Sequence, residues 1–337
     1  MSDQYKFGPL LIASYLLMFT ALLLVMHTGL LAALFSGLLV YSLVHLLTPA
    51  LGLKVSGHRA RMVAVALLGS VIVALLSVAI WGVATFLQSD AGNPQVLLQR
   101  MADIIEASRD QIPPWLRENL PQNAEALREI FTVWLREHAA QAKTLGQEAG
   151  RTIVHLLIGM IIGAMAALYN TNSVARYRPL AAALHARVIN LEYAFRRIVF
   201  AQVRIAGINA VLTGIYLMVV LPLAGVHLPL TKSMIVITFF AGLLPVVGNL
   251  ISNTVLVVVG LSHSLYIALA SLLFLMLIHK LEYFLNAKII GAHINAHVWE
   301  LLTAMLLMET LFGIPGVIAA PVLYAYVKKE LSDHGLV

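Results

Sequence analysis

Apolar runs separated by short polar or basic links dominate the chain. Pro9 to Met26, Leu30 to Leu51, Met62 to Leu87, Thr152 to Tyr169 and Ile205 to Gly225 each approach or exceed the roughly 20 residues that cross a bilayer as helix. Only His27-Thr28-Gly29 separates the first two, so they read as a hairpin with an uncharged tip. The first run has no basic leader and passes straight into another apolar run, which fits a helix of the mature protein better than a cleaved signal. From Lys232 the chain stays apolar to Ile278, too long for one crossing, and LLPVVGNLISN interrupts it. A proline and a glycine break helix there, which predicts a broken or re-entrant helix near 245–253. Val298 to Val327 reads as the last span.

Residues 88–150 depart from this pattern. The apolar runs vanish, and nine Asp and Glu stand against six Lys and Arg. Asn93-Pro94 reads as a cap with a first-turn proline, followed by Leu97, Met101, Ile104 and Ile105 at helical spacing; Pro113-Pro114 ends that helix. After Pro121, Leu127, Ile130, Phe131, Trp134, Leu135 and His138 form the apolar stripe of a second amphipathic helix. The segment is a small helical cap or a lid over a transport path.

Composition agrees with a membrane protein: 60% hydrophobic and 11% charged residues, against roughly 45–50% and 25% in soluble domains. Cysteine is absent, which excludes disulfides and thiolate chemistry. The net charge of +6 does not point to nucleic acid, because the basic residues lie beside apolar runs. Lys54, Arg59 and Arg61 follow the second run, and Arg176, Arg178, Arg187, Arg196, Arg197 and Arg204, opposed only by Glu192, follow the fourth. Basic loops orient a membrane protein toward the cytoplasm; binding of an anionic solute or regulator is the other reading of the second cluster. Ala181 to Val203 reads as an interfacial helix, with Leu184, Val188, Leu191, Phe195 and Ile198 on its apolar side.

The expected fold is therefore all-α, a polytopic transmembrane bundle of about eight spans with both termini cytoplasmic. Its divisions are 1–87 for three spans, 88–150 for the extracytoplasmic helices, 151–204 for the fourth span and the basic interfacial helix, 205–327 for a C-terminal core containing the broken helix, and 328–337 for a cytoplasmic tail.

Candidate chemistry gathers in the C-terminal half. Pro245 and Gly248 break the long apolar run, and Asn249, Ser252 and Asn253 are placed to satisfy freed backbone or to line a polar cavity. His279, Glu282 and Asn286, spaced three and four apart, share one face of a continuous helix. That face suits a cation, a proton or a polyhydroxylated solute; the plainer reading pairs Glu282 with Lys280 or Lys288. Glu309 lies among apolar residues, on a helix that also carries Gly313, Gly316 and Ala320 at small-residue spacing and Pro315 as a bend. It is either a titratable group at a moving interface or half of a structural pair. His293 and His297 are four apart, yet two imidazoles without a further ligand do not make a zinc site. No P-loop, HExxH or GxSxG occurs, so neither ATP hydrolysis, a metal, a cofactor nor catalysis is expected.

At LLPVVGNLIS, LEYFLNAKIIG and LFGIPGVIAAP the sequence resembles the autoinducer-2 exporter family of bacterial inner-membrane proteins. The resemblance extends over nearly the whole chain. Gln202 and Gly207 match its Gln and small residue at the start of the fifth span, Pro245 and Gly248 its Pro-x-x-Gly break, Glu282 its acidic position, and Gly291, Gly313, Gly316 and Pro321 its following small and proline positions. Glu309 stands where a small residue is usual. The resemblance implies a secondary transporter in the bacterial inner membrane and a homo-oligomer, with a pentamer as the implied state. Its cargo would be autoinducer-2 or a similar small polar solute, moved with a proton or cation; sodium or lithium/proton antiport is the alternative. A membrane scaffold whose outer segment binds a partner is the alternative of another class.

Overall fold

A computed structural model describes residues 8–52, 57–88, 103, 124–169, 177–228, 231–243, 247–261, 263–294 and 297–336. These residues form helices and links, with no strand among them. In chain order the helices are α1 (Pro9–His27), α2 (Leu31–Gly52), α3 (Gly57–Gln88), α4 (Ala124–Glu137), α5 (Ala139–Leu168), α6 (Pro179–Ile215), α7 (Thr231–Gly242), α8 (Val247–Leu261), α9 (Leu265–Ile294), α10 (Val298–Phe312) and α11 (Ile314–Asp333). Apart from Asp103, the expected helix over 94–112 lies outside the described residues. Among the described residues four stretches are long and apolar enough to cross a membrane: Pro9–His27, Leu31–Pro49, Gly146–Leu168 and Pro179–Leu223. With the shorter apolar helices that follow, they make an all-α polytopic membrane bundle.

Contacts divide the chain into two units. The first comprises Met1–Val73, Glu148–Ala201 and Ile289–Val337. Here α1 opens with Pro9, whose missing N–H costs nothing in a first turn. It ends in a Schellman turn: Gly29 takes φ 71°, Leu30 N–H donates to the Val25 carbonyl (2.9 Å), and Gly29 N–H donates to Met26 (3.3 Å). Helices α2 and α5 cross at glycines. A Cβ on Gly163 would overlap the backbone of Gly37, and one on Gly159 would overlap Ala33. Ser36 Oγ donates to the Leu156 carbonyl (2.9 Å) across the crossing. Close backbone approach of this kind suits a bilayer, where helices associate by packing rather than by hydrophobic expulsion.

The structure revises two boundaries. The interfacial helix and the fifth span are one continuous helix, α6, followed by a π-helical segment at Tyr216–Val220. At 37 residues it is roughly 55 Å long, more than a bilayer's hydrocarbon needs. The basic stripe is also not wholly at the surface: Arg187 is 6% exposed and Glu192 7%, and both have partners inside the first unit.

The second revision concerns Val298 to Val327, which is not one span. The chain reverses at Gly313, so that Glu300 near the start of α10 accepts hydrogen bonds from Tyr324 and from Lys328 Nζ (3.0 Å) on α11. Apolar length alone could not distinguish a crossing from this hairpin. Pro315 does not bend a helix; it opens α11 in the first turn. Pro321 lies buried inside α11, beside Ala319 and Ala320, which are 0% and 1% exposed. That small-residue face packs near Met26, Leu31 and Phe35.

The second unit comprises Ala74–Gln147 and Gln202–Lys288. Its core joins Tyr216, Leu217, Met234, Leu256, Ile267 and Leu275. In α4, Ile130 and Trp134 of the expected apolar stripe are 58% and 53% exposed.

Candidate functional site

The helical break predicted near 245–253 is a hairpin. Helix α7 ends at Gly242, α8 begins at Val247, and the two pack along their lengths. At 12 and 15 residues their arms are roughly 18 and 22 Å long, short of about 30 Å of hydrocarbon. Gly248 makes the turn tight: a Cβ there would overlap the carbonyl group of Ala241 and come within 3.0 Å of the Gly242 nitrogen. No residue larger than glycine fits without displacing backbone.

A helix end leaves its last carbonyls without intrahelical donors. Here Gln202 of α6 supplies one, its Nε2 donating to the Gly242 carbonyl at 2.8 Å. One turn further, Ala206 meets the same glycine, and a Cβ on Gly242 would stand 3.2 Å from that of Ala206. The stripe continues along α6 and into the π segment through Asn209, Thr213 and Tyr216, spaced so that they share the face of Gln202. Gln202, Asn209 and Thr213 are 8%, 3% and 3% exposed. Tyr216 Oη and Ser271 Oγ of α9 are 3.1 Å apart, and the Tyr216 ring stacks on Phe274 at 4.1 Å. Among the described residues Asn209 Oδ1 is buried without a hydrogen-bond partner. An amide oxygen in apolar surroundings costs free energy unless something donates to it or a cation binds it.

This constellation is uncharged. It offers amide and hydroxyl groups to a polar ligand, and oxygen atoms that suit a hard cation. Asn209, Thr213, Tyr216 and Ser271 were not singled out from sequence, although a polar residue recurring every three to seven positions through an apolar span was a usable signal. Gln202 came only through the family resemblance.

The other predicted site residues divide by location. Gly248 is buried in the first turn of α8, and Asn253, in its second turn, is half-buried. Asn249 lies in the first turn of α8, and His279, Glu282 and Asn286 lie on the unbroken helix α9, as their shared face requires; their side chains are outside the described residues, as is Pro245. Glu309 is exposed on α10, on the same side as Leu302 and Leu306. The small-residue seam therefore does not contain it: Gly316 meets the Met308 carbonyl so closely that a Cβ would overlap it, while Glu309 points away. Gly313 forms the apex of that hairpin with φ 63° and ψ −146°. Among the described residues no group of three metal-ligating side chains occurs.

A stretch of 139 residues, 40% of this chain, is 31% identical to YdbI of Bacillus subtilis (strain 168), provisionally named a transport protein, and covers 37% of that relative. No solved structure matches. The profile of the AI-2E family transporters matches residues 10–334, from α1 to the end of α11, and the chain belongs to that family.

Proposed function

We infer that the protein is a secondary transporter that exports a small polar solute across the bacterial inner membrane. The observation that carries this reading is the buried uncharged stripe of Gln202, Asn209 and Thr213 against the α7–α8 hairpin, with the unpaired Asn209 oxygen in it. Discontinuous helices leave backbone groups free at membrane depth, and transporters use such groups to bind cargo. A polyhydroxylated solute such as autoinducer-2 matches amide and hydroxyl partners better than a charged one does. In this reading Pro245, Gly248, Asn249 and Asn253 shape the break, while Glu282 and Asn286 add polar contacts from α9. Glu309 is a titratable group coupling transport to a proton or cation gradient. The basic residues that follow the second and fourth spans put both termini in the cytoplasm. The subunits assemble as a homo-oligomer, a pentamer by the family resemblance.

One observation favours a second reading. The free Asn209 oxygen and the carbonyl end of α7 are oxygen donors of the kind that bind sodium, as a sodium (or lithium)/proton antiporter requires. Proteoliposomes separate the readings. Uptake of labelled autoinducer-2 that Asn209→Leu removes supports the exporter. Sodium-dependent proton movement without solute transport supports the antiporter. Failure of both under imposed gradients leaves a membrane scaffold.

A further inference from the structure

In the first unit, α2, α5 and α6 enclose a groove of about 540 Å³. Its walls are apolar for most of their length, with Leu38, Ile162 and Ala166 among them, and Ile162 and Ala166 are exposed on a membrane-spanning helix. One region of the lining is different: Tyr41, Tyr177, His185 and Glu192 contribute to it. Glu192 is buried, and both its partners engage the same carboxylate oxygen: Ser42 donates to Oε1 at 2.7 Å, and Arg196 Nε lies 3.9 Å from Oε1. The Tyr177 and His185 rings are 5.5 Å apart. Arg61 donates to the backbone carbonyl of Tyr169, itself a lining residue, at 3.3 Å.

The geometry points to a binding site for a phospholipid with a primary-amine headgroup, phosphatidylethanolamine in chemical class. An acyl chain fills the apolar length, the phosphate meets Arg61 and His185, and the ammonium donates to Glu192. The side chains supply the complementary charges, a cation for the phosphate and a carboxylate for the amine. A primary ammonium makes charge-assisted hydrogen bonds to a carboxylate that a trimethylated one cannot make. An anionic headgroup without an amine brings the same phosphate to Arg61 and His185 but no ammonium to donate to Glu192. The site shares no residue with the polar stripe of the second unit and does not rest on the transport reading.

The test uses the full-length protein in nanodiscs of equal parts phosphatidylethanolamine, phosphatidylcholine and phosphatidylglycerol. Native mass spectrometry reads the lipid retained after release. The wild type retains roughly ten ethanolamine lipids for each choline or glycerol lipid, the scale of one hydrogen bond to a charged group. Glu192→Gln loses that preference, and Ala166→Trp, which fills the groove from an exposed position, lowers the total retained with an unchanged melting temperature. Retained lipid that mirrors the bilayer, or that favours phosphatidylglycerol or phosphatidylcholine, overturns the site. So does a Glu192→Gln protein that keeps the preference, or an Ala166→Trp protein that keeps the wild-type count. The wild-type and Ala166→Trp arms remain decisive if Glu192→Gln fails to fold.

Discussion

Arg187 of α6 and Glu330 of α11, 143 positions apart, form an ion pair in which the two side chains are 8% and 6% exposed. Tyr15 of α1 completes the cluster. Its hydroxyl accepts from Arg187 Nη1 at 2.6 Å and donates to Glu330 Oε2 at 3.1 Å, and the guanidinium lies 4.3 Å from the centre of its ring. Three helices of the first unit are joined at one point, close to a second link, Asn190 Nδ2 to Asp333 Oδ2 at 3.2 Å.

Removing one partner of a buried pair strands the other charge. Arg187→Met is expected to destabilise the protein by about 3–5 kcal/mol. The double variant Arg187→Met/Glu330→Leu should recover much of that loss, because it leaves no unpaired charge. Thermal unfolding of the purified protein in detergent, compared among wild type, single and double variants, checks the order.

Gly313 turns the second hairpin in a conformation that a side chain resists. Gly313→Ala should cost about 1–3 kcal/mol. Gly316→Leu should be worse, since its side chain would be driven into the Met308 carbonyl. Protease sensitivity between α10 and α11 is the direct readout, with an intact hairpin after Gly316→Leu as the contrary result.

Gln202 should matter more for position than for bulk. Gln202→Leu keeps the volume but leaves the buried Gly242 carbonyl unpaired, at about 1–3 kcal/mol. Transport should fall along with the melting temperature. Gln202→Glu is a useful contrast, because a carboxylate oxygen facing that carbonyl repels it.

Asn209 separates binding from folding. Its Oδ1 has no partner, so Asn209→Ala removes no bond made by that oxygen and should change the melting temperature little. If cargo uses that oxygen, the half-saturating concentration for transport should rise roughly tenfold, the scale of one hydrogen bond. Unchanged transport kinetics would exclude Asn209 from the path.

Helical content and membrane residence were legible in the sequence because both follow from local hydropathy. The run from Lys232 to Ile278 announced its own interruption through Pro245 and Gly248, and the structure turns the chain between Gly242 and Val247. Asn209 and Thr213 were harder to find, because isolated polar residues in a span acquire meaning only when a partner element faces them. Here Gln202 and Ala206 on the same stripe meet the hairpin end.

By itself, then, the sequence determined an all-α membrane protein of this family, the position of one helical break and the basic character of the segments after the second and fourth apolar runs. Tertiary structure alone decided that Val298 to Val327 folds back at Gly313, that Arg187 is buried rather than solvated, and that Glu309 lies outside the small-residue seam. Each of these depends on a contact with residues distant in the chain or on the direction of the chain after a turn. Hydropathy measures neither: it reports whether a segment prefers hydrocarbon, while pairing across 143 positions is set by which helices pack together.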